Sequence, residues 1–338
     1  MGDNKKFRIL ALDGGGLRGV YTAHILKKIQ EDEGINFSEY FDLITGTSTG
    51  AILAGALATN ENIDDVIDLY KKEGKNIFSS KFCPLKKYLG ISIPFIPCLN
   101  MGFFTRKYSQ KVLKTQLEDI FKDKTMSDTN TNLMVFATDI ANGVPHVFKS
   151  PYDPEFTRDK HVKLSDAILA STAAPIYFNP YLLDNKYLLA DGGLWCNNPS
   201  ICAVSEAKNR FGKVFDEVEL LSIGTIEGKS YFEIKRVKHL FKKRFWGLIG
   251  WKTKVIDVTL NLQSMASHHN TDFLGLSKYL RVNTKENNQL PMDDAKMVPD
   301  FISKADKEYT YMRKEIMNFF DNKENIWQEK QNMNFLKY

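Results

Sequence analysis

Cysteine is scarce in this chain: Cys83, Cys98, Cys196 and Cys202 are the only four in 338 residues. They are too few and too scattered for a disulfide scaffold, and no Cys-x-x-Cys pair marks a zinc or redox site. Buried, reduced thiols are the expectation. Missing as well is any run near the roughly 18 uninterrupted apolar residues of a membrane span, so contact with lipid has to be made from the surface. The opening Met-Gly-Asp-Asn-Lys-Lys enters an apolar strand at once, without the apolar stretch and small-residue cleavage site of a secretory signal. A cytoplasmic protein is expected. Repeats, low-complexity tracts and Pro-, Gly- or Ser-rich linkers are absent, which argues for one domain over residues 1–320 and a tail over 321–338. With 43% apolar and 26% charged residues, disordered, collagen-like and coiled-coil classes are excluded.

Positive charge is local. The net charge is +5, but between Lys229 and Lys254 nine Lys or Arg stand against one acid, Glu233. There Val237, Leu240, Phe241, Phe245, Leu248 and Ile249 recur at helical spacing among Lys235, Arg236, Lys238, Lys242 and Lys243, with Trp246 and Trp251 nearby. This composition predicts an amphipathic basic helix, either settling on an anionic bilayer or packed on a sheet with a solvated cationic face. The stretch from Lys81 to Phe104 holds three prolines among many apolar residues and reads as a lid or loop insertion.

Elsewhere the pattern is strand, glycine turn, helix. Phe7 to Leu12 is an apolar run followed by three glycines and then by Val20, Ala23, Leu26 and Ile29 on one helical face. Phe41 to Thr45 repeats the strand, Gly46 to Gly50 the turn, and a small-residue helix begins at Ala51. Two such units in succession predict a mainly parallel sheet flanked by helices. Further strands are expected at Leu133 to Thr138, Lys186 to Ala190, Val218 to Ile223 and Tyr279 to Val282. Further helices are expected around Ile63 to Lys75, Ser109 to Phe121, Ser200 to Phe211 and Asp300 to Phe320.

Gly46-Thr47-Ser48-Thr49-Gly50 fits G-x-S-x-G, in which a nucleophilic serine occupies a sharp strand-to-helix turn and the glycines avoid collision with neighbouring backbone. Asp13-Gly14-Gly15-Gly16-Leu17-Arg18-Gly19 ends the first strand at the mouth of a helix. Its bare amides can cradle a phosphate or the oxyanion of an acyl intermediate. Gly14, Gly16 and Gly19 even have dinucleotide-binding spacing, with Glu33 as the acid. The serine turn on the next parallel strand favours acyl transfer, because both turns then lie at one carboxyl edge of the sheet. A base is needed. None of the six histidines sits in a recommending motif, although His268 or His269 would suit the order serine, acid, histidine. Asp191, in Asp191-Gly192-Gly193 directly after a strand, is the stronger candidate, its alternative being a plain Asp-Gly turn.

DGGGLRG at 13–19, GTSTG at 46–50, ASTAAPIYF at 170–178 and DGGLWCNNP at 191–199 together resemble the ordered signature of the patatin-like phospholipases. Met292-Asp293-Asp294-Ala295 resembles the segment before the last helix of plant patatins. Ser222-Ile223-Gly224-Thr225-Ile226 departs from the pattern, which expects a second glycine after the threonine. The resemblance implies a three-layer α/β/α fold and a serine–aspartate dyad, with Ser48 as nucleophile, Asp191 as base, the amides of Gly14, Gly15 and Gly16 as oxyanion hole, and Arg18 holding that loop. It implies cleavage of membrane phospholipid esters at the inner membrane surface, without metal or cofactor and without a nucleic acid polymer as partner. In length and organisation the chain is also similar to the bacterial patatin-like effectors of antiphage systems that degrade membrane when a cyclic dinucleotide binds. A nucleotide-binding α/β protein and a constitutive housekeeping lipase are the competing readings.

Overall fold

A computed structural model describes residues 6–78, 108–228 and 254–321. The expected lid at 81–104, the basic helix beginning at Val237 and the C-terminal tail from 322 on lie outside these residues. The chain runs β1 (Phe7–Leu12), α1 (Gly19–Glu33), β2 (Leu43–Thr47), α2 (Thr49–Ala58), α3 (Ile63–Asp68), α4 (Lys111–Phe121), β3 (Asn132–Asp139) and β4 (Val144–Lys149). It continues through α5 (Leu164–Ser171), β5 (Tyr181–Leu183), β6 (Tyr187–Asp191), α6 (Ser200–Phe211), β7 (Val218–Ile223), α7 (Lys254–Asp272), β8 (Lys278–Val282), α8 (Val298–Tyr311) and α9 (Arg313–Phe319).

Strands β3, β2, β1, β7 and β8 lie side by side, all parallel. β1 is buried along its whole length, as a strand covered on both faces must be. Its alternate residues feed different cores: Leu10 and Leu12 pack with Val20, Leu53, Ile168 and Phe301, whereas Ile9 and Ala11 pack with Ala203, Val204 and Ala207 of α6. Helices therefore cover both faces, and the fold is the three-layer α/β/α arrangement expected. β4 and the β5–β6 hairpin add antiparallel strands beside β3.

The long helices expected at 63–75 and 300–320 are both interrupted. α3 passes into a π-helical turn over Leu69–Glu73 and a last helical turn over Gly74–Ile77. α8 and α9 are separated at Met312. In the first case the wider turn coincides with Tyr70, whose buried hydroxyl bonds the Thr49 hydroxyl beside the serine turn.

Register on β3 positions the site. Thr47, which precedes Ser48, lies opposite Phe136 in the parallel pair, and Asp191 lies opposite the next residue, Ala137, in the antiparallel pair. One strand thus brings together two side chains 143 positions apart in the chain. The Thr138 hydroxyl fixes the same end of β6 by donating to the Asp191 carbonyl at 2.8 Å.

Candidate active site

Ser48 occupies a backbone conformation that L-residues adopt rarely, φ 54° and ψ −121°, at the start of α2. The turn is closed by contacts that leave no room for side chains. A Cβ on Gly46 would strike the Gly50 carbonyl, and one on Gly50 the carbonyls of Leu12 and Asp13. Ser171 at the end of α5 ties the turn to β3: its hydroxyl accepts from the Ser48 amide at 2.9 Å and donates to the Phe136 carbonyl at 2.6 Å. The Thr47 hydroxyl donates to the Cys196 carbonyl at 2.6 Å, joining the serine turn to the segment after Asp191. The positive end of α2 faces the Ser48 side of the turn.

Asp191 is 4% exposed. Its carboxylate accepts the Gly193 amide at 2.7 Å, and the Ser48 side chain lies close enough to act on its ionisation. Burial pushes its pKa from 3.8 up to about 6, with the nearby Ser48 side chain and the Gly193 amide opposing the rise. A carboxylate so displaced is a better proton acceptor than one in water. No histidine among the described residues bonds to either side chain. His24 meets Asp306, His268 meets the Tyr279 hydroxyl at 2.7 Å, His146 packs against Phe148 and Tyr187, and His269 packs against Phe273.

The glycine loop corrects one expectation. The Gly14 amide donates to the Asn197 carbonyl at 3.0 Å, because the loop after β1 is laced to the loop after β6, and it is therefore committed within the protein. Among the described residues no acceptor meets the amides of Gly15 and Gly16, and both residues line the cavity onto which Ser48 and Asp191 open. Gly16 has φ +59°, and a side chain there would meet the Met292 carbonyl, so this position requires glycine. Arg18 is buried and holds the loop through its Nε to the Gly15 carbonyl at 3.3 Å and Nη1 to the Ile226 carbonyl at 3.1 Å. Of the dinucleotide pattern, Glu33 ends α1, a 15-residue helix whose length puts it about 20 Å from the loop, out of reach of a ribose held there.

Two groups at the site, Arg281 and Ser264, carried no sequence signal. Asp13 is paired twofold with Arg281 from β8, at 2.7 and 2.5 Å, the Asp13 side chain being buried and that of Arg281 10% exposed. Arg281 also donates to the Ser222 hydroxyl at 2.7 Å. Ser264 of α7 donates to Asp13 at 3.2 Å and accepts the Asn197 side-chain amide at 2.9 Å. The cavity above the pair is walled by apolar residues including Leu17, Ile52, Ile77, Phe78, Tyr177 and Phe178. Its contents are suited to a hydrocarbon chain. Among the described residues no helix is long and apolar enough to cross a membrane.

These features define a three-layer α/β protein with a strained serine turn, a buried carboxylate and bare loop amides at one sheet edge. The patatin-like phospholipase model matches residues 10–201, and the chain belongs to that family of lipid ester hydrolases. It is 34% identical over 258 residues, 72% of its length, to an Escherichia coli protein named a cGAMP-activated phospholipase. A Vibrio cholerae protein of the same name is 37% identical over 66% of the chain. Patatin-like protein 1 of Arabidopsis thaliana is 29% identical over 81% of the chain and 73% of its own length. The matched stretch spans 68% of the Escherichia coli relative and 65% of the Vibrio cholerae one.

Proposed function

We propose that this chain hydrolyses carboxylic esters of membrane phospholipids through an acyl-enzyme on Ser48. The observation that carries the reading is that Ser48, a buried carboxylate and bare amides line one apolar cavity. Asp191 takes the Ser48 proton as the oxygen attacks the ester carbonyl. The amides of Gly15 and Gly16 receive the oxyanion, and protonated Asp191 returns its proton to the departing alcohol. Water then enters by the same route in reverse and releases the fatty acid.

Activation by a cyclic dinucleotide belongs to the same proposal. It is supported by relatives named cGAMP-activated and by a further Escherichia coli relative, 27% identical, named a cUMP-AMP-activated phospholipase. Mass-spectrometric product analysis on vesicles of a single defined phosphatidylglycerol, with and without cGAMP or cUMP-AMP, tests both parts. Free fatty acid and lysolipid are expected, rising at least about tenfold with one nucleotide. Absence of lysolipid and fatty acid under every condition overturns the hydrolase reading, and equal turnover with and without every nucleotide overturns the activation.

Work at the inner membrane surface is supported by the nine cations between Lys229 and Lys254. Replacing Lys235, Lys238, Lys242 and Lys243 by Gln is expected to weaken sedimentation with anionic vesicles, each lysine contributing about 1 kcal/mol near the surface. The loss should vanish at high salt, where wild-type binding weakens too. Unchanged sedimentation would assign this charge to a solvated face.

A further inference from the structure

The two loops of the site are joined through one side chain outside both. Ser264 lies on α7, and its hydroxyl accepts the Asn197 Nδ2 at 2.9 Å while donating to Asp13 Oδ2 at 3.2 Å. Asp13 precedes the bare-amide glycines, and Asn197 follows Asp191 in the second loop. Asn197 in turn holds Gly14 on two sides. Its carbonyl accepts the Gly14 amide at 3.0 Å, and its side-chain amide reaches the Gly14 carbonyl at 3.4 Å. Neighbouring residues of α7 continue the contact. Gln263 accepts the Asn198 amide at 2.8 Å, Ser267 donates to the Asn198 carbonyl at 2.8 Å, and Leu260 packs where a Gly193 side chain would stand.

We infer that Ser264 is a positioning residue for ester hydrolysis: its hydroxyl fixes Asn197, and through it the aim of the Gly15 and Gly16 amides relative to Ser48. The inference rests on the Ser48–Asp191 reading of the site. Ser264 touches neither the reacting atoms nor the acyl cavity, so its loss should leave ground-state binding alone. Stabilisation of an oxyanion depends steeply on donor geometry, and removing a donor outright costs about 100- to 1,000-fold in kcat. Loosening the support of two donors is therefore expected to cost less, about tenfold.

The full chain, assayed with p-nitrophenyl butyrate in the presence of cGAMP, tests this with Ser264→Ala, Ser264→Thr, Ser48→Ala and wild type side by side. Ser264→Ala is expected to lower kcat about tenfold with KM within about twofold of wild type. Ser264→Thr retains the hydroxyl and should restore kcat. Its extra methyl would face the open polar cleft that Ser264 borders with Asn261, His268 and Arg281. A wild-type kcat in Ser264→Ala, with Ser48→Ala inactive, overturns the positioning role while leaving the dyad standing. An equal loss in the Ala and Thr variants overturns it too, since the hydroxyl would then not be the active feature. Full turnover in Ser48→Ala removes the dyad reading and this inference together. If Ser264→Ala is recovered unfolded, Ser264→Cys, which keeps the volume and weakens the hydrogen bonds, takes its place under the same criteria.

Discussion

Ser48→Ala is expected to lower phospholipid hydrolysis by at least about 10⁴-fold, while thermal stability changes by no more than about 1 kcal/mol. The asymmetry follows from the geometry. The Ser48 backbone is held by its amide bond to Ser171 and by the closeness of Gly46 and Gly50, neither of which involves the Ser48 side chain. Alanine meets the same φ of 54° with a Cβ like that of serine, so the strain of the turn is unchanged. The hydroxyl, however, is the only group proposed to form a covalent bond with substrate. Replacing it leaves the amides and Asp191 with no acyl acceptor to assist. Its removal also withdraws an interaction that lowers the Asp191 pKa, so the carboxyl of the variant should titrate higher. A fluorophosphonate probe should label wild type once per chain and the Ala variant not at all. Undiminished labelling or turnover in Ser48→Ala, confirmed folded by its melting curve, would assign the nucleophile to another residue.

How far the sequence disclosed this arrangement depended on whether a feature announces itself locally. β7 and α6 have the bounds that periodicity predicts, Val218–Ile223 and Ser200–Phe211, because each has a strong apolar pattern between turn residues. β4 escaped, since Val144–Lys149 contains Pro145, His146 and Lys149 and owes its pairing to the neighbouring strand. α7 escaped for a reason tied to the site. Gln263, Ser264 and Ser267 present hydroxyls and an amide to the loops it contacts, so no apolar stripe marks the helix. Ser48, Asp191 and the three glycines stood in motifs whose strand-turn context was readable. The Gly14 correction and the partnership of Asp13 with Arg281 were not, because each depends on a partner 183 or 268 positions away.

Asp191→Asn is expected to lose about 10²- to 10⁴-fold in rate and yet to be more stable than wild type at neutral pH. Both effects have one cause. Burial raises the Asp191 pKa from 3.8 to about 6, so the ionised carboxylate required for catalysis is the form that the folded protein holds at a cost. A carboxyl with a higher pKa in the folded than in the unfolded chain binds its proton more tightly when native. Its stabilising contribution is complete below pH 3.8 and is lost as the pH rises through about 6. That displacement corresponds to about 3 kcal/mol at most. Asparagine can keep an oxygen for the Gly193 amide and carries no charge to desolvate, so the variant should melt a few degrees above wild type at pH 8. The advantage should shrink below pH 6 and disappear below pH 4. In wild type kcat should rise with pH and level off above about 6, the same ionisation that erodes stability supplying the base. Melting curves and rates taken across pH 4 to 8 test the coupling. A variant no more stable than wild type at pH 8 would mean that burial does not raise the Asp191 pKa, and a wild-type rate flat across this range would mean that its ionisation does not supply the base.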